Sequence, residues 1–229
     1  MRPPVIAVDG PAGSGKSSVC RGVAERLDLR YLDTGAMYRA MTWAMLASGI
    51  DVDDAVSVAA QADSVQIVSG TDPAHPTIHV GVTDVSGPIR GDDVTAAVSA
   101  VSAVPAVRER LVALQRAEVM AARDAGRGIV VEGRDITTVV LPDADLKVFI
   151  TADPAIRAAR RAAQDVDLGK DGVDVGVTET ALRERDAKDS TRVTSPLAQA
   201  PDAVLVDTTE LTLDQVIGRV CDLAHALPG

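Results

Sequence analysis

Three observations predict an α/β protein with a central parallel sheet flanked by helices. Short, mostly apolar runs recur at residues 5–8, 129–131, 146–150 and 203–206, the first with no polar alternation, and all read as buried strand candidates. Segments of helical periodicity separate them. The first run leads at once into a glycine-rich loop and then a helix, so strand, loop and helix follow in that order.

Taken in sequence, residues 16–27 place Val19, Val23, Ala24 and Leu27 on one helical face. A second helix is predicted over residues 38–48, stopped at Gly49, and a weaker one over 51–62. The texture then changes. The pieces 65–68, 77–80 and 83–85 are β-prone and set among Gly, Pro and Asp, which predicts a small antiparallel insert over residues 60–97 between core segments 1–59 and 98–229. Pro105 suits the first turn of a helix faced by Val107, Leu111 and Leu114 and ended by Gly126 and Gly128. Further helices are expected at 153–164, 179–188 and 213–227, the last capped by Thr212. The polar, Gly- and Asp-rich stretch 165–176 reads as a mobile connection.

The 229 residues suffice for a substantial core, and 46% are hydrophobic although only 2% are aromatic. A formal charge of −10 argues against a nucleic-acid binder, since a polyanion is repelled at long range, yet leaves room for a local basic pocket. Cys20 and Cys221 have no metal or redox spacing, and His75 and His79 lie in a turn-rich stretch without a third ligand, so both pairs read as ordinary residues. The apolar run near the start is too short for a signal peptide, and no stretch approaches a membrane span; a cytoplasmic protein without membrane contact is expected.

Gly10-Pro11-Ala12-Gly13-Ser14-Gly15-Lys16-Ser17 matches the Walker A pattern between a predicted strand and helix. Its glycines let backbone N–H groups turn inward on an anion, and the helix N-terminus adds its positive end. Gly10, Ala12, Gly13, Ser14, Gly15, Lys16, Ser17 and the adjoining Ser18 are therefore the candidate ATP contacts. Lys16 reaches the β and γ phosphates and the Ser17 hydroxyl ligates Mg²⁺. ATPases, GTPases and transferases share this motif. The chain has no Asn-Lys-x-Asp base-reading motif and little room for motor machinery, which favours a small-molecule kinase.

Three further segments carry charge where a ligand could use it. Asp33-Thr34-Gly35-Ala36-Met37-Tyr38-Arg39 sets a hydroxyl and an arginine at a helix start, suited to an anionic acceptor, the plainer alternative for Arg39 being a solvated helix arginine. Glu132-Gly133-Arg134-Asp135 follows a buried strand, and ligands of open α/β sheets sit at strand carboxyl ends. There Glu132 is either a Walker B-like carboxylate or part of a solvated turn. Arg157, Arg160 and Arg161, then Arg183 and Arg185, flank the mobile stretch. They form either a lid over residues 157–185 that closes on the transferring group or ordinary helix pairs such as Arg185 with Asp189.

Together these segments resemble the bacterial cytidylate kinases, within the nucleoside monophosphate kinases. The likeness also runs through Asp84-Val85-Ser86-Gly87-Pro88-Ile89-Arg90, Val107-Arg108, Ile136-Thr137-Thr138-Val139-Val140 and Glu184-Arg185-Asp186-Ala187-Lys188-Asp189-Ser190-Thr191-Arg192. The resemblance implies a P-loop nucleoside monophosphate kinase-like fold with an inserted acceptor-binding subdomain and a short lid, transfer of the γ-phosphoryl of ATP to CMP or dCMP with Mg²⁺, and a monomer. It implies that Arg39, Arg134 and Arg192 hold the acceptor phosphate, with Arg185 beside them. Ser99, Arg108 and Asp135 would read the cytosine, Thr34 would lie in the acceptor site, and Asp189 would contact the ribose. Arg157, Arg160 and Arg161 look like lid residues, Arg157 toward ATP and the other two toward the transferring group. A carboxylate accepting from the cytosine amino group would disfavour UMP, whose carbonyl stands there. Two rivals remain: a phosphotransferase for another small acceptor such as UMP or shikimate, and a nucleotide-dependent switch without an acceptor.

Overall fold

Every residue of the first strand, β1 (Val5–Asp9), is buried, and its side chains alternate between two separate apolar layers. Val5 and Ala7 join one core cluster, Ile6 and Val8 the other, so the strand is covered on both faces and its sequence needs no polar alternation. The computed structural model describes residues 3–167, 169, 172–192 and 195–228. After β1 come α1 (Lys16–Arg26), β2 (Arg30–Asp33), α2 (Thr34–Ala47) and α3 (Ala55–Gln61), then the short strands β3 (Ile67–Ser69), β4 (Ile78–Val80) and β5 (Thr83–Asp84). The chain continues through α4 (Asp92–Ala103), α5 (Pro105–Asp124), β6 (Ile129–Gly133), a single π turn (Ile136–Val140) and β7 (Leu146–Thr151). It ends with α6 (Pro154–Asp167), α7 (Val175–Ser190), β8 (Val204–Asp207) and α8 (Leu213–His225).

Five parallel strands form the central sheet in the order β2-β6-β1-β7-β8. α1 and α8 cover one face through Val19, Val23, Val216 and Val220. α2, α4 and α5 cover the other through Met41, Met45, Val101 and Leu111. The antiparallel strands β3-β4-β5 form a second small sheet whose Ile67 and Ile78 share that second cluster. The loop beyond β3 returns to the central sheet: Tyr31 N–H on edge strand β2 donates to Thr71 O at 2.9 Å, and Arg21 Nε donates to Pro73 O at 3.1 Å.

Differences from the sequence reading have local causes. β2 was not expected, because only Tyr31 and Leu32 of its four residues are buried. α2 begins at Thr34, ahead of the expected start, because the Asp33 side chain caps it by accepting from Ala36 N–H at 3.0 Å. α4 is built of small and β-branched residues without a bulky stripe, and it runs through residue 97, where the insert was expected to end. Val104 breaks away from helical geometry before Pro105, as the residue preceding proline should. Between 165 and 176, α6 continues to Asp167 and α7 starts at Val175, capped by Asp174 accepting from Val177 N–H. Leu168, Lys170 and Asp171 lie outside the described residues.

Where the chain turns from β1 into the loop, Gly10 adopts φ +152°, and a Cβ there would lie 2.0 Å from Ile150 O on β7. Gly10→Ala is expected to cost about 3 kcal/mol in urea unfolding, since backbone cannot yield as a flexible side chain can. A midpoint equal to that of the wild type would contradict this close approach.

Candidate active site

The carboxyl ends of β1, β2 and β6 open into one cleft of about 1060 Å³, walled by the loop before α1, the starts of α2 and α5, α4, and the helices α6 and α7. Ala12, Gly13, Ser14, Gly15, Lys16, Ser17 and Ser18 line its floor. Gly10 does not; it lies under the loop against β7. Lys16 is buried and its Nζ donates to Pro11 O at 2.8 Å. Burial and the nearby Arg134 charge hold its pKa well below the ordinary lysine range, with Glu132 and Asp9 opposing that fall only in part.

Beside Lys16, Glu132 is buried at the end of β6 and accepts a hydrogen bond from Tyr31 Oη, with the Ser17 hydroxyl in reach. Burial raises its pKa, as does repulsion from Asp33, which ends the neighbouring strand β2. Ser17, Glu132 and Asp33 are hard oxygen donors next to the phosphate loop. Among the described residues no cluster of His, Cys, Asp and Glu forms a complete metal cage. The set fits Mg²⁺, which keeps waters and takes phosphate oxygens as ligands in place of an all-protein cage.

On the acceptor side, Thr34 Oγ1 donates to Glu132 O at 2.7 Å, which ties the first residue of α2 to β6. Gly133 permits this contact: a Cβ there would sit 2.6 Å from Thr34 Oγ1 and 2.7 Å from Ile136 Cδ1. Two residues on, the buried Asp135 is ion-paired with the buried Arg108 of the first turn of α5. Arg108 also donates to Ser102 O at 3.3 Å and lies over the Tyr38 ring, 5.4 Å from its centroid. Ser99, on α4, lines the same wall, and its carbonyl accepts from Ser102 Oγ.

Asp189 is the hub of a second polar group. Its side chain is 2% exposed and accepts from Arg134 Nε at 3.2 Å, and it is also paired with Arg192. Arg192 further donates to Ser102 Oγ at 3.1 Å. Asp189 thus ties the end of β6 to the end of α7, and the ion pairs it makes are with these two arginines, not the alternative helix pair with Arg185. Burial, then Arg134 and Arg39, lower the pKa of Arg185 to about 10, against the pull of Asp189. Arg39 is lowered to about 10 by burial and by Arg161, and it also donates to Ile89 O and Thr95 Oγ1 at 3.0 and 2.9 Å. Arg39, Arg134, Arg161, Arg185 and Arg192 therefore converge on one side of the cleft, and their mutual repulsion marks a site for a multiply charged anion.

The three arginines of α6 part company. Arg160 lines the cleft and donates to Thr208 Oγ1 and Thr208 O, both at 2.8 Å. Arg161 lines it while pairing with Asp165 one turn along α6 at 3.0 Å. Arg157 does not line it. Its guanidinium is buried behind the phosphate loop, donating to Ala12 O at 3.0 Å and paired with Asp186, which in turn accepts from Ala12 N–H at 3.2 Å. The helical spacing that grouped Arg157 with Arg160 and Arg161 could not show that α6 packs this side chain against the back of the loop. Sequence reasoning also gave no role to Asp9, Asp33, Tyr38 or Ser102. A signal existed for Ser102, three residues after Ser99 on one helix face.

A family model described as "Cytidylate kinase" matches residues 6–226. The chain is 57% identical over 221 residues to a cytidylate kinase of Streptomyces avermitilis, covering 96% of this chain and 92% of the relative. It is 58% identical over 221 residues to that of Streptomyces griseus, with the same coverage. Among solved structures, an uncharacterized protein from Eubacterium ventriosum aligns over 97% of this chain and 99% of its own, with a TM-score of 0.54 at 13% identity. That likeness is one of fold: a central, mostly parallel sheet flanked by helices.

Proposed function

The chain belongs to the cytidylate kinase family and is an ATP-dependent (d)CMP kinase, and we propose that its cleft holds donor and acceptor together, with ATP on the loop 10–18 and CMP or dCMP between α2, α4 and the end of α7. It moves the γ-phosphoryl of ATP to the acceptor, giving ADP and CDP or dCDP. The observation that carries the division of roles is that Arg39, Arg134, Arg185 and Arg192 line the same cleft as Lys16 and the loop, in an otherwise acidic chain. Phosphoryl transfer asks mainly for positioning and neutralisation of charge on the transferring group.

Lys16 and the loop amides hold the β and γ phosphates. Ser17, with Glu132 and Asp33 behind it, would hold Mg²⁺, which would supply charge neutralisation at the phosphates. Arg39, Arg134, Arg185 and Arg192 hold the acceptor phosphate, and Arg160 and Arg161 approach the transferring group from α6. Asp135 accepts from the cytosine amino group while Arg108 donates to its ring nitrogen or carbonyl. Ser99 completes the base contact and Asp189 meets the ribose. The three-part division is read in the same way: core 1–59 and 98–229, acceptor-binding insert 60–97 and lid 157–185, in the manner of a nucleoside monophosphate kinase. Action as a monomer on small nucleotides belongs to the same reading. Among the described residues no helix is long and apolar enough to cross a membrane.

The test is ADP release at fixed ATP and Mg²⁺ with CMP, dCMP, UMP, AMP and GMP added in turn. Strong release with CMP and dCMP, at least about tenfold above UMP and with purines near background, is expected, since a misplaced carbonyl opposite a carboxylate costs more than about 1 kcal/mol. Equal release with UMP would remove Asp135 and Arg108 as base readers.

A further inference from the structure

Asp135 stands at the N-cap of the π turn Ile136–Val140, the position from which an aspartate ordinarily accepts the first free N–H groups of its own helical turn. Its side chain makes no such bond. It turns instead to Arg108. The N–H groups it leaves are met from another strand. Asp9, the last residue of β1, is fully buried and accepts from Ile136 N–H at 2.9 Å, Thr137 N–H at 2.7 Å and Thr137 Oγ1 at 2.7 Å. Asp9 does not line the cleft; its side chain is bound into the turn, and its charge is also felt at Lys16.

We propose that Asp9 is a positioning residue for base recognition: by capping the π turn in place of Asp135, it frees the Asp135 carboxylate to face Arg108 and the acceptor base. The inference rests on the reading that Asp135 and Arg108 contact the cytosine. Burial raises the pKa of Asp9 and the three hydrogen bonds oppose that rise, so the carboxylate is bound into the turn at some cost and is suited to this one task. Without it, two buried N–H groups lose their acceptor, and the carboxylate in reach is that of Asp135 itself. Recapture of Asp135 by its own turn would withdraw it from the base while leaving the phosphate loop in place.

The experiment measures kcat/KM for CMP and for UMP, KM for ATP, and the melting temperature, in Asp9→Asn, Thr137→Val, Thr137→Ser and Asp135→Asn. Asp9→Asn turns an amide toward N–H donors. Thr137→Val removes one donor to Asp9, and Thr137→Ser keeps it. A fall of about tenfold or more in the CMP-to-UMP ratio is expected for Asp9→Asn, with a smaller fall for Thr137→Val and recovery in Thr137→Ser. KM for ATP should stay within about twofold. Should Asp9→Asn fail to fold, the two Thr137 variants carry the same test. A lower melting temperature with an unchanged CMP-to-UMP ratio overturns the inference, because a merely structural aspartate would not alter which base is chosen. If Asp135→Asn changes the ratio while Asp9→Asn and Thr137→Val do not, only the Asp9 inference falls. If Asp135→Asn also leaves it unchanged, the base-reading role itself falls, and the inference with it.

Discussion

Replacing Lys16 by Met is expected to lower kcat by about 10³-fold, the loss typical when a preorganised charge is removed from a transition state, while the melting temperature stays equal to or rises above that of the wild type. The two halves of this expectation have one origin. Lys16 is buried beside Arg134, and both burial and that charge disfavour its protonated form. Before ATP arrives, the protein therefore carries a cation whose surroundings oppose it. Met fills the same space without that cost, as hydrophobic replacements of buried charges often do; it loses the bond to Pro11 O and the attraction to Glu132, which can take up a proton in its place. Once phosphates occupy the loop, the same lysine gains its counter-charge. Steady-state kinetics and a thermal melt on one preparation check both halves. A melting temperature that fell together with kcat would show that Lys16 holds the loop in shape, so that lost activity reports lost structure.

Asp189→Ala is expected to raise KM for CMP by about 10²-fold and to reduce stability by about 2 kcal/mol. Asp189 is the anion between Arg134 and Arg192. Its removal leaves those two arginines facing each other and Arg185 with nothing between them. The stability figure is kept below that for a fully buried pair because the Arg134 and Arg192 side chains are 20% and 14% exposed and water can answer part of the loss. KM for ATP should change far less, since Lys16 and the loop amides do not depend on this carboxylate. Equal increases in both KM values would mean that Asp189 shapes the whole cleft and not its acceptor half.

The phosphate loop was legible because its chemistry is contiguous: eight neighbouring residues specify the turn, the donors and the helix start. Buried strands were legible for a similar reason, since β1 and β6 are buried along their whole length and read as apolar runs, while β7 shows its buried face through Leu146, Val148 and Ile150. β2 was not, because an edge strand of four residues with two buried side chains leaves too little pattern. The same division runs through the site. Sequence spacing could gather Arg157, Arg160 and Arg161 on one helix. Only the packing of α6 on the loop separates Arg157, spent on Ala12 O and Asp186, from the two that reach the cleft. Asp189 illustrates the limit again: its ion-pair partners are Arg134, far back in the chain, and Arg192, and nothing in the helix spacing chose these over Arg185. Asp9 looked like the end of a strand because its three donors lie more than a hundred residues away in a turn whose π geometry no periodicity announces.

The return of the 71–73 loop to β2 bears on how the molecule behaves in crowded solution. The outer edge of an open sheet is a template on which another chain can add a strand and begin to aggregate. At the β2 end, the outward N–H of Tyr31 is already taken by Thr71 O, and Arg21 fastens the same loop through Pro73 O. The segment that reaches out to build the small second sheet therefore also shields the margin of the first one from unwanted self-association.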